Sequence, residues 1–136
     1  STASTSNPCS ISQYAVLAAL NGPQDFLRER NKAFRERRDL VVAMLNDAPG
    51  LSCPTPQGAF YVYPDATGVM GKKTPQGKII QTDADLIDYF LDEYRVEAVH
   101  GGAFGLSPGF RISYATSADI LKEACLRIQA ACADLT

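Results

Sequence analysis

The chain has no tryptophan and only one histidine, His100, among its 136 residues. A lone histidine leaves no Ser/His/Asp arrangement that spacing supports and no H-E-x-x-H pattern, and no P-loop pattern occurs. The four cysteines, Cys9, Cys53, Cys125 and Cys132, include no C-x-x-C pair. A structural zinc site therefore lacks its ligand spacing, and no metal is expected. Cys125 and Cys132 are seven apart in a helical pattern, share a face, and are assigned to buried packing. Reduced thiols of this kind fit an intracellular, cytoplasmic protein. No run approaches the roughly 18–20 apolar residues that cross a bilayer. The polar start, Ser1 to Ser10, lacks the basic-then-apolar layout of a secretory signal, although a targeting segment could lie upstream. Neither sign of charge dominates: the formal net charge is -2 and charged residues make up 21%. No nucleic-acid or membrane-surface partner is expected from that balance.

What is present reads as one domain of ordinary size, with 46% hydrophobic residues. Ser10 or Ser12 caps a short helix ending near Asn21-Gly22, and Pro23 opens a new one. Phe26, Leu27, Ala33, Phe34, Leu40, Val41, Met44 and Leu45 have helical spacing. The Arg- and Glu-rich positions between them, Arg28 to Arg38, read as a solvated face, and Pro49-Gly50 ends the helix. Leu51 to Pro54 and Gly58 to Pro64 are strand signals, the second rich in aromatics. Residues 65–81, with three glycines, Pro75 and three lysines, read as a long exposed excursion. Asp83 caps a helix through Tyr94 with Leu86, Ile87, Phe90 and Leu91 inward. Val96 to His100 and Phe110 to Tyr114 are strands flanking the glycine-rich turn Gly101 to Gly105. Ser117 opens a last helix with Leu121, Ala124, Cys125, Ile128, Ala131 and Cys132 inward. The order predicts an α+β domain, a small, mostly antiparallel sheet covered by helices on one face.

Catalytic groups are scarce. His100-Gly101-Gly102 precedes a strand rather than a helix, which disfavours a phosphate cradle, and His100 reads as structural rather than as a general base. Arg111 stands out. It interrupts the apolar run Phe110-Arg111-Ile112-Ser113-Tyr114-Ala115 directly after a Gly/Pro turn. Alternation puts Phe110, Ile112 and Tyr114 on one face and Arg111, Ser113 and Ala115 on the other. A guanidinium among small residues can take a planar carboxylate through two parallel hydrogen bonds, and a surface arginine is the alternative on pattern alone.

The ordered set Ser4-Thr5-Ser6-Asn7-Pro8 with Ser10-Ile11-Ser12-Gln13, Gly58-Ala59-Phe60-Tyr61, Ala103-Phe104-Gly105 and Phe110 to Ala115 resembles the last third of class I/II aminotransferases. The similarity is nearest to bacterial aspartate aminotransferases and runs from residue 4 to about 130. The resemblance implies the small C-terminal domain of a fold type I, pyridoxal 5'-phosphate-dependent enzyme of about 400 residues. Residues 1–22 would be an interface segment and residues 23–136 the small domain. It implies that Arg111 clamps the substrate α-carboxylate and that Phe60 borders the substrate pocket. Ser6 and Asn7 would lie near the partner subunit's site in a homodimer. An amino group would pass from an amino acid, with aspartate first, to a 2-oxo acid such as 2-oxoglutarate. The lysine and aspartate that hold the cofactor belong upstream in this family, so no catalytic or cofactor-binding residue is assigned here. The chain alone is expected to be inactive and to hold no cofactor. Departures from the family pattern fall at His100, Gly102 and the stretch from Gly68 to Gln81. The rival readings are an autonomous, non-enzymatic interaction module and a transaminase for aromatic amino acids or alanine.

Overall fold

The structure is a computed structural model describing residues 23–56, 60–104 and 108–136, with the backbone alone at 23–29, 103 and 104. The expected helix before Asn21 lies outside the described residues, as do Ser6 and Asn7. Two compact units are present, residues 1–35 and residues 36–136. In the first, the Arg30 guanidinium lies 5.7 Å from the centroid of the Phe34 ring.

Helix α1 runs Pro23–Asn46 and starts at the proline, whose fixed φ and missing N–H suit a first helical position. Within the second unit, Val41 and Leu45 are fully buried, one turn apart, while Arg38 stays near the surface and pairs with Asp39 at 3.0 Å. The strand expected over Leu51 to Pro54 reduces to a single bridge between Ser52 and Asp65. The reason lies in Asn46. Its side-chain amide donates to the Cys53 carbonyl at 2.9 Å, and its oxygen accepts from the Cys53 N–H at 2.8 Å. A side chain thus occupies both main-chain groups that a neighbouring strand would need.

Strand β1 is short, Tyr61–Val62. Phe60 stands at φ 77°, and Pro64 has no N–H to offer. Pairing resumes past Pro64 through a bridge from Asp65 to Gly109. The stretch expected to be an exposed excursion is anchored instead. It holds a 3-10 turn at Thr67–Val69, and Ala66, Val69 and Ile80 are fully buried. Ile80 exchanges main-chain bonds with Gly71 and Lys72, and Lys73 exchanges them with Thr136 at 3.0 Å each way. Its longest exposed run is the tip at 75–79, and Asp65, Thr67, Gly68, Gly71, Lys73 and Gln81 are exposed between the buried anchors. Its base passes so close to Gly50 that a Cβ on Gly68 would stand 2.6 Å from the Gly50 carbonyl oxygen.

Helix α2 runs Asp83–Tyr94. Its cap is Thr82 rather than Asp83. The Thr82 side chain accepts from Asp85 N–H, and the Asp85 carboxylate accepts from the main chain of Thr82. Leu86 and Phe90 are buried as expected, but Leu91 is 41% exposed and Tyr89 is the third inner residue. Strand β2, Val99–His100, a 3-10 turn at Gly101–Phe104 and strand β3, Phe110–Ser113, follow. Helix α3, Ala118–Ala133, is capped by the Ser117 side chain, which accepts from the Ile120 N–H, and it buries Leu121, Cys125, Ile128, Ala131 and Cys132.

The sheet order is β1-β3-β2, antiparallel throughout, with Tyr61 opposite Ser113, Val62 opposite Ile112, Val99 opposite Arg111 and His100 opposite Phe110. Phe110, Ile112 and Tyr114 are buried on one face. The Phe90 ring of α2 meets the Phe110 ring edge-on at 5.4 Å, and the Tyr89 hydroxyl donates to the Ala131 carbonyl of α3 at 2.7 Å. The expected α+β plan holds. Tyr61, Val99, Arg111 and Ser113 point to the opposite face.

Candidate functional site

Arg111 sits on the central strand, which pairs with β1 on one side and β2 on the other, so the strand cannot slide without breaking the sheet. The guanidinium carbon lies 4.2 Å from the centroid of the Tyr61 ring. That places the flat cation over the π-face of an aromatic one strand away and along the diagonal, an attractive arrangement. A guanidinium takes a carboxylate in its own plane, so where its face lies on the ring the in-plane N–H groups remain available to a carboxylate. Phe60 precedes Tyr61, is 39% exposed, and its carbonyl accepts from Tyr114 N–H at 2.7 Å. An aromatic residue at positive φ is uncommon, and such backbone strain is found where function fixes a side chain. Of the two expected substrate-binding residues, Arg111 lies on β3 and Phe60 immediately precedes the neighbouring strand β1. Tyr61 is the residue that the sequence reading passed over. Its signal was pairing, because only the register shows that Tyr61 and Arg111 share a face.

His100 stands apart from this pair. It lies opposite Phe110, on the helix-covered face, and its Nδ1 is 3.8 Å from Oδ1 of Asp83. A general-base role on the Arg111 face is incompatible with that side of the sheet. The three described cysteines are free and buried. Burial pushes Cys53 and Cys125 up to about 11 and Cys132 up to about 12. Cys125 and Cys132 are buried, as expected, and Cys53 is buried as well. No set of three or more His, Cys, Asp or Glu that could hold a metal occurs among the described residues, and none of the described helices is long and apolar enough to cross a membrane. A groove of about 540 Å³ between Val96, Ile112, Ile120 and Arg127 does not involve Arg111 or Phe60.

The comparisons with known proteins agree with this geometry. The model of the family described as aminotransferase class I and II matches residues 1–128. The chain is 59% identical over 133 residues to an aspartate/prephenate aminotransferase of Cereibacter sphaeroides, covering 98% of this chain and 33% of that protein. It superposes on the crystal structure of the aspartate aminotransferase from Rhizobium meliloti with a TM-score of 0.83 at 58% identity, over 93% of this chain and 32% of that one. An alanine aminotransferase from Pyrococcus furiosus follows at a TM-score of 0.69 and 34% identity, over 87% and 28%. The fold is that of the fold type I aminotransferases, and the chain belongs to the class I and II aminotransferases. It spans about a third of the length of the curated relatives it matches.

The family implies pyridoxal phosphate. The described lysines do not fit a seat for it. Lys32, Lys73, Lys78 and Lys122 are exposed, Lys72 is half-buried, and none stands in the sheet that carries Arg111. A guanidinium such as that of Arg111 can take a planar carboxylate through two parallel hydrogen bonds.

Proposed function

We propose that this chain is the C-terminal, small-domain part of an aminotransferase that moves an amino group from aspartate to a 2-oxo acid such as 2-oxoglutarate. Arg111 holds the α-carboxylate of the substrate and Phe60 borders the pocket. The single observation that carries this reading is the stacked Arg111–Tyr61 pair on the central strand of a family-matched sheet. Bound upstream of this chain, pyridoxal phosphate supplies the electron sink for breaking bonds at the amino acid's α-carbon. The role of this chain is orientation. Two in-plane hydrogen bonds from Arg111 fix the carboxylate plane, and with it the direction of the Cα–H bond, which is the kind of positioning that lowers a barrier by several kcal/mol.

The names of the relatives favour aspartate as the donor and add prephenate as an acceptor. Prephenate carries a 2-oxo-carboxylate side chain, so the same arginine fork fits it. Ser6, Asn7 and the rest of residues 1–22 are proposed to lie against the partner subunit of a homodimer, and the cytoplasm is the proposed location. The test is product formation by the full-length protein. Aspartate mixed with 2-oxoglutarate or prephenate should yield oxaloacetate with glutamate or arogenate. Failure with aspartate, together with turnover of alanine or an aromatic amino acid, would overturn the donor assignment.

A further inference from the structure

We propose that Asp83 is a positioning residue for Arg111: its carboxylate ties together the two ends of the turn that leads into β3, and so fixes where the guanidinium stands. This rests on the carboxylate-anchor reading above and extends it to a residue outside the sheet.

Asp83 is the first residue of α2 and is only 4% exposed, a rare place for a carboxylate unless it is paired or hydrogen-bonded. Helix capping does not explain it, because Thr82 and Asp85 already perform that task. Oδ2 of Asp83 accepts instead from the main-chain N–H groups of Gly102 and Gly109, each at 3.2 Å. Gly102 lies just past the end of β2, and Gly109 lies immediately before β3. The same two ends are joined by the Gly101 N–H donating to the Gly109 carbonyl at 2.6 Å. The other oxygen, Oδ1, faces Nδ1 of His100, the last residue of β2, at 3.8 Å. That nitrogen is buried and has no hydrogen-bond partner among the described residues. One carboxylate therefore faces the end of β2, the turn after it and the start of β3.

The anchoring is stiff. Both bonds from Oδ2 go to backbone, so a shift of Asp83 moves main chain rather than a rotatable side chain. Its negative charge sits at the positive end of the α2 dipole. A Cβ on Gly102 would stand 3.2 Å from Nδ1 of His100 and 3.7 Å from Oδ1 of Asp83, so only a small residue leaves this clamp undisturbed. Arg111 follows Gly109 by two residues, and a change in the entry to β3 alters its approach to the Tyr61 ring and to a substrate.

A double-mutant cycle in the full-length protein tests this, with maleate as a dicarboxylate that has no amino group to transfer. Its dissociation constant is measured for the wild type, Asp83→Asn, Arg111→Ala and the double variant. We expect Asp83→Asn to weaken maleate about five- to thirtyfold when Arg111 is present and less than about twofold when it is absent. A merely stabilising residue would lower the unfolding midpoint in both backgrounds without this dependence on Arg111. An equal loss in both backgrounds, or no loss, overturns the proposal. If Asp83→Asn does not fold, Asp83→Glu keeps the charge and moves it by a methylene; a loss that does not depend on Arg111 overturns the proposal equally. If Arg111→Ala itself leaves maleate binding unchanged, the carboxylate-anchor reading fails and takes this inference with it. A strong Arg111→Ala effect with a silent Asp83→Asn defeats the inference alone.

Discussion

At the scale of single residues, the proposed carboxylate binding rests on the contact between Arg111 and Tyr61. The guanidinium carbon stands over the ring, 4.2 Å from its centroid, an interaction on the order of 0.5–2 kcal/mol. Tyr61→Phe keeps the ring and should leave the affinity of the full-length protein for maleate within about twofold. Tyr61→Leu keeps an apolar strand residue but removes the π-face, and should weaken maleate about three- to thirtyfold. Equal behaviour of the two variants would remove the ring from the account. The buried thiols make a second prediction at this scale. With pKa values raised to about 11 for Cys53 and Cys125 and about 12 for Cys132, the thiolate fraction at pH 7 is on the order of one in ten thousand or less. Peptide-resolved alkylation should run at least about a hundredfold slower at these three sites in the folded protein than in urea. Comparable rates would contradict the burial that packs α3 onto the sheet.

At the scale of elements, the N-terminus of α2 has a defined pH signature. The Asp85 carboxyl is held below its ordinary value of 3.8, first by the main-chain N–H of Gln81 and then by that of Thr82, with Lys78 adding its charge. A carboxyl depressed by folding contributes stability that is complete above its unfolded value and is lost as pH falls through the folded one. Asp85→Asn should therefore cost about 1 kcal/mol near neutral pH, and the two proteins should converge by about pH 2. Urea unfolding at both pH values checks this, and a gap that persists in acid would assign the loss to something other than the carboxylate. Much of this layer was legible in the sequence. Pro23 and Ser117 start helices as their chemistry dictates, and the alternation Phe110, Ile112, Tyr114 gave the buried face correctly. The misreadings share a cause. Thr136 bonding Lys73 and the close pass of Gly50 to Gly68 join residues distant in sequence, and Asn46 bonding Cys53 reaches across a seven-residue loop; no periodic pattern reports any of them. Thr82-x-x-Asp85 was a visible capping signal, overshadowed by the adjacent Asp83.

At the scale of the whole molecule, one sheet separates two tasks. One face binds α2 and α3 through Phe90, Phe110 and Ile128 and makes the domain stable. The other face carries Arg111 and Tyr61, the pair proposed to recognise the substrate carboxylate. Arg111 was singled out from its strand setting before any contact was known, because a charge inside an apolar alternating run needs a reason. Tyr61 and Asp83 were not, since their relation to Arg111 depends on strand register and on the packing of α2 against the β2–β3 turn. The most direct measurement is the rate of the amino-acid half-reaction in the full-length protein, for the wild type and Arg111→Lys, over a range of aspartate concentrations. Lysine keeps the charge and loses the planar fork. kcat/KM should fall about ten- to a hundredfold, the cost of one charge-assisted hydrogen-bond pair. A value within about twofold of the wild type would show that Arg111 does not hold the carboxylate.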